Sequence, residues 1–61
     1  MKTFIRLTVE RSDPKNVGRF VELYRNTIEV DDALKFDFGP YILVFKNLYK
    51  KFDPVVKFEI L

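Results

Sequence analysis

Residues 40–53 read PYILVFKNLYKKFD, and whether they form a strand or a helix decides the fold. Tyr41–Phe45 is a run of apolar residues, and Lys46, Lys50 and Lys51 are then interleaved with Leu48, Tyr49 and Phe52. On a helical wheel, Tyr41, Ile42, Val44, Phe45, Leu48, Tyr49 and Phe52 share one broad arc. Lys46, Asn47, Lys50 and Lys51 share the other, and Leu43 alone is misplaced. Lysines toward the C-terminal end would also complement a helix dipole. Residue type argues the other way, because YILVF is rich in β-branched and aromatic side chains. A strand over residues 41–49 would join the last stretch of the chain through KKFD, as a hairpin with a four-residue loop.

The flanking segments frame the choice. Residues 2–10, KTFIRLTVE, alternate cleanly: Ile5, Leu7 and Val9 point one way, Phe4, Arg6 and Thr8 the other, as in a strand. Residues 54–61 alternate again, with Val56, Phe58 and Ile60 on one face and Val55, Lys57, Glu59 and Leu61 on the other. Pro54 can only begin such a strand. Between residues 12 and 34, Ser12 or Asp13 can cap a helix and Pro14 suits its first position. Val17, Phe20, Val21, Tyr24 and Ile28 then fall at i, i+3, i+4, i+7 and i+11, the apolar stripe of an amphipathic helix. Gly18 inside that helix would cost about 1 kcal/mol relative to Ala, and such a glycine often permits close packing of helix on sheet. Leu34, Phe36 and Phe38 alternate briefly as a short strand or apolar loop before the break at Gly39-Pro40.

Three strands of matched length and one covering helix make the most economical unit. The sequence therefore predicts an α+β fold, a small β-α-β-β unit whose three-stranded sheet carries one helix on one face. The alternative is β-α-β-α-β, with residues 41–52 helical. In either case one domain spans residues 1–61.

Composition limits the chemistry. The chain has no Cys and no His, so it offers no disulfide, no thiolate or imidazole ligand and no imidazole base. Ser12 is the only serine and has no usual activating partner. Catalysis is not expected, nor is a cofactor. Asp31, Asp32 and Asp37, with Glu29 nearby, match no EF-hand spacing, and a solvated loop is the simpler account than a metal site. Eleven basic and nine acidic residues give a net charge of +2, far below that of a nucleic-acid-binding arm. The start MKTFIRLTVERS resembles no signal peptide, and the longest apolar run is too short to cross a bilayer, so a soluble, cytoplasmic protein is expected.

Aromatic residues make up 16% of the chain, more apolar material than one small monomer readily hides. In the hairpin arrangement one sheet face, built on Ile5, Leu7, Val9, Val56, Phe58 and Ile60, packs on the helix. The other face would hold Phe4, Arg6, Val55 and Lys57, joined by residues of the middle strand. That uncovered apolar face predicts a non-enzymatic interaction module, self-associating as a homodimer or docking on another protein as a small inhibitor or adaptor. Its contact residues would be Phe4, Arg6, Tyr41, Phe45, Tyr49 and Lys57. A second possibility is single-stranded nucleic acid, with the rings stacking on bases and Arg6, Lys46 and Lys57 meeting phosphates. FGPYILVF does not match the RNA-recognition signature, because Pro40 interrupts it and Phe45 is one place out of register. The remaining cations, Arg11, Lys15, Arg19, Arg25 and the cluster Lys46, Lys50 and Lys51, are most simply solvated faces. If residues 41–52 are helical, the exposed binding face largely disappears.

Overall fold

The computed structural model describes residues 2–61. Strand β1 (Thr3–Ser12) pairs with β2 (Phe20–Val30) on one side and β3 (Val55–Ile60) on the other, both antiparallel, so the sheet order is β2-β1-β3. Helix α1 (Gly39–Leu48) is followed by one 3₁₀ turn, Lys50–Phe52, before β3. The class is the one expected, α+β with a three-stranded sheet and one helix. The chain order is not: it runs β-β-α-β, with the helix and the middle strand exchanged.

The first correction concerns residues 13–30. They form a hairpin turn and a strand, not a helix. Asp13 N–H donates to the Arg19 carbonyl at 2.8 Å and Arg19 N–H to that of Asn16 at 3.1 Å, which closes the turn. The Asp13 carboxylate accepts from Lys15 N–H at 2.9 Å and from Asn16 Nδ2 at 3.2 Å. An aspartate that can cap a helix can equally build a turn, because both use a short side-chain acceptor on a backbone N–H two or three residues on. Those bonds, led by the one from Lys15 N–H, hold the Asp13 carboxyl below its ordinary pKa. Gly18 sits at φ +83°, and a Cβ there would meet nothing within 4 Å. Its role is the left-handed turn, not close helix packing. Beyond it, Phe20, Val21, Tyr24, Thr27, Ile28 and Val30 are all residue types that favour strands.

The second correction concerns residues 41–49: residues 41–48 are helical, Tyr49 caps the helix, and the segment forms no hairpin with β3. Pro40 lies in the first turn, where no N–H is needed. The inner face of the sheet also requires a cover, and with residues 20–30 inside the sheet only this segment can supply it. The stretch 34–38 is a loop. Asp53, at φ +50°, turns the chain into Pro54 and β3.

The core is the middle strand. Ile5 lies between Ile28 and Ile60, Leu7 between Asn26 and Phe58, and Val9 between Tyr24 and Val56. Ile5, Leu7 and Val9 are at most 1% exposed, and Val30 is also buried. Aromatic contacts seat the helix and the loop before it. Tyr24 stacks on Phe45 with centroids 5.1 Å apart, Phe38 meets Phe58 at 4.4 Å, and Phe36 touches both Phe38 and Tyr41. The Arg11 guanidinium caps the Phe52 ring at 4.7 Å. The hairpin reaches past β3, whose pairing with β1 stops at Glu10, and the body measures 43 × 21 × 15 Å. Among the described residues, no helix is long and apolar enough to cross a membrane.

Candidate interaction surface

The two sides of the sheet are set by alternation along β1. Ile5, Leu7 and Val9 point under α1, so Phe4, Arg6, Thr8 and Glu10 lie on the open side. Their cross-strand partners share that side: Glu22, Arg25, Thr27 and Glu29 from β2, and Val55, Lys57 and Glu59 from β3. The open side is therefore mostly charged, with Phe4, Phe20 and Val55 as its exposed apolar members. Its charges are also matched in pairs. Arg25 meets Glu22 at 2.8 Å, Lys57 meets Glu10 at 3.1 Å, and Arg6–Glu59 and Lys2–Glu29 are each 3.4 Å apart. A shallow groove of about 370 Å³ runs between Arg6, Thr8, Glu10, Arg25, Lys57 and Glu59. Each charged group along it is already neutralised by a neighbour.

The six residues expected to form one contact face are divided by the sheet. Phe4, Arg6 and Lys57 are on the open side. Tyr41, Phe45 and Tyr49 belong to the helical segment on the other side and are half-buried. The division follows directly from residues 41–49 being helical. The rings expected to stack on bases, and the Arg6 and Lys57 cations expected to meet phosphates, thus lie on opposite sides of the sheet.

The apolar surface lies elsewhere. Tyr41, Ile42 and Phe45 are half-buried, with Phe45 stacked on Tyr24 of β2 and Tyr41 against Phe36 of the preceding loop, and other apolar residues of the helix are exposed. Leu43 is 72% exposed, Val44 60% and Leu48 65%. Val44 and Leu48 are one turn apart on one row, and Leu43 lies about 100° around the helix from Val44. The sequence carried a signal for this. Seven apolar residues on one arc, plus Leu43 outside it, are more than one contact with a three-stranded sheet can cover.

Charge around the helix is arranged differently from charge on the open side. The connection into α1, residues 31–38, carries Asp31, Asp32 and Asp37 against Lys35. The far end carries Lys46, Lys50 and Lys51 against Asp53. All eight are exposed, and among the described residues none takes part in an ion pair. Asp32 accepts from Leu34 N–H at 3.0 Å and Asp37 from Gly39 N–H at 2.9 Å, which orders the approach to the helix. No group of three or more potential metal ligands converges among the described residues.

The chain matches no known protein family, no curated protein and no solved structure.

Proposed function

We propose that the protein is a non-enzymatic, soluble, cytoplasmic protein-interaction module that docks through the outer side of α1. The observation that carries this is the exposure of Val44 and Leu48, one turn apart on a short helix whose inner half is already engaged. Exposed apolar side chains that adjoin one another are costly in water, and burying each against a partner contributes roughly 25 cal/mol per Å² of apolar surface. The open side of the sheet makes a poor docking surface by comparison. Its four ion pairs would have to be desolvated, at a cost that their mutual attraction does not reliably offset.

A photo-crosslinking side chain placed at position 44, and separately at position 8 as a control, tests the assignment in cells of the native host. Discrete adducts are expected from position 44 and none from position 8. Adducts from position 8 alone, or none from either, would overturn it.

A further inference from the structure

We infer that a second copy of the chain pairs with the free edge of β3, antiparallel across a two-fold axis through Phe58, so that one continuous sheet spans both copies. This goes beyond docking at α1 and does not depend on it.

The hydrogen-bond pattern shows which groups the edge offers. Leu61 N–H donates to the Phe4 carbonyl at 2.9 Å, in the register that sets Arg6 opposite Glu59 and Thr8 opposite Lys57. Alternate residues of an antiparallel strand exchange bonds with a given neighbour. Val55, Lys57 and Glu59 therefore turn their backbone groups toward β1. Val56, Phe58 and Ile60 turn theirs outward, where β3 has no neighbour.

The other edge of the sheet, β2, is defended. By the same alternation its outward residues are Arg25, Thr27 and Glu29. The Thr27 N–H is already held by the Asn26 side chain, at 3.0 Å from Oδ1. The register shift near Glu22 also breaks the line of the edge, a device that discourages pairing. Strand β3 has neither protection. Its register with β1 is unbroken. Among the described residues, no side chain accepts from the N–H of Val56, Phe58 or Ile60. Val55, Ile60 and Leu61 are exposed apolar residues along it.

Register selects a second copy as the occupant. Opposed residues of an antiparallel sheet share a face, so a two-fold axis sets one residue of β3 against itself. With Phe58 on the axis, Val56 faces Ile60 of the second copy, and the outward backbone groups of Val56, Phe58 and Ile60 all find partners. The same register sets Lys57 opposite Glu59 of the second copy, twice per dimer, and exposed Val55 opposite exposed Leu61. These pairs fall at the non-hydrogen-bonded positions, where side chains approach most closely. Lys57 on the axis would oppose itself and bring Pro54, which has no N–H, against Ile60. Glu59 on the axis would oppose itself. Val56 on the axis would set Pro54 against Phe58 and leave Lys57 without an acidic partner. With Phe58 on the axis, the pairs Arg6–Glu59 and Lys57–Glu10, at 3.4 and 3.1 Å within each chain, join across the edge into a row of alternating sign. The added burial matters in a chain this short.

Sedimentation of the purified full chain from micromolar to millimolar concentration, with amide exchange followed by nuclear magnetic resonance, tests the inference. A dimer is expected. As concentration rises, the Val56, Phe58 and Ile60 amides should become protected, while those of Arg25 and Glu29 exchange at unchanged rates. Two charge-reversed chains supply the specific test, Lys57→Glu and Glu59→Lys. Each alone sets like charges against each other across the edge and should self-associate about tenfold more weakly than the native chain. An equimolar mixture should restore association. A fold defect cannot produce that restoration. A native chain monomeric at millimolar concentration, a dimer whose Val56, Phe58 and Ile60 amides stay unprotected, or a mixture no tighter than its components would each overturn the inference. A dimer formed through α1 would give the second of these results.

Discussion

Ile5, Leu7 and Val9 of β1 lie beneath α1 with almost no exposed surface, while Arg6 and Glu10 of the same strand hold ion pairs on the open side. One strand thus borders two different environments. Under the helix the neighbours are side chains on every side: Ile28 and Ile60 beside Ile5, Phe58 beside Leu7, Tyr24 beside Val9. On the open side the neighbours are opposite charges and water. The difference shows where the energy of the fold resides. Burial of apolar area is the dominant favourable contribution to folding, whereas exposed ion pairs are worth between nothing and about 1 kcal/mol. The open side meets water, and the covered side keeps the sheet folded.

Truncating adjacent residues that face opposite ways should expose this division most clearly. Leu7→Ala removes a fully buried side chain from the centre of the sheet and is expected to cost about 3 kcal/mol. For a chain of this length that is a large part of a total stability of roughly 3–9 kcal/mol. Thr8→Ala, one residue on, should change stability by no more than about 0.5 kcal/mol. Urea titration followed by circular dichroism measures both. Equal costs would break the comparison.

How much of this could be read in the sequence depends on the element. In β1 and β3 the alternation is unbroken, and the inward set Ile5, Leu7, Val9, Val56 and Phe58 is legible residue by residue, while Ile60 at the strand's end is 61% exposed. In β2 it is not, for two physical reasons. Asp13-Pro14 opens a turn with the same chemistry that opens a helix. The register between β1 and β2 then shifts, with Val9 opposite Tyr24 and Glu10 opposite Glu22, so Leu23 is an extra residue. A bulge of this kind breaks the two-residue period. What remained of the pattern in Val17, Phe20, Val21, Tyr24 and Ile28 fitted a helix. With residues 20–30 read as a helix, the sheet face is covered and PYILVFKNLYKKFD is free to be a strand. The wheel favours helix there, but the deciding fact is non-local, namely which other segment covers Ile5, Leu7 and Val9. The interaction residues shared the same fate, since Tyr41, Phe45 and Tyr49 reach the open side only if their segment is a strand.

A second pair of changes sharpens the comparison at those residues. Phe45 stacks on Tyr24 beneath the helix, and Phe4 is half-exposed on the open side. Phe45→Ala is expected to cost about 2 kcal/mol, less than a fully buried phenylalanine because the ring is only half-buried. Phe4→Ala should cost less than about 1 kcal/mol. The melting temperatures would differ in the same order, since in a domain of this size each kcal/mol corresponds to roughly 4–8 °C. A reversed order would mean that Phe4, not Phe45, belongs to the core.

The smallest expected effect reports on whether the open side really faces water in the working protein. Glu22 and Arg25 form its shortest ion pair, at 2.8 Å, with both side chains well exposed. A double-mutant cycle of Glu22→Ala and Arg25→Ala should give a coupling of only about 0.2–1 kcal/mol in dilute buffer. It should shrink further as added salt shortens the screening length from about 10 Å at 0.1 M to about 3 Å at 1 M. The sign of the single changes matters less than this coupling, because each also alters strand propensity. If another molecule or a second sheet covered this side, water would be excluded and the same 2.8 Å contact would be screened far less. Coupling would then rise well above 1 kcal/mol and become insensitive to salt. A weak, salt-sensitive coupling would show that the open side meets water in the working protein.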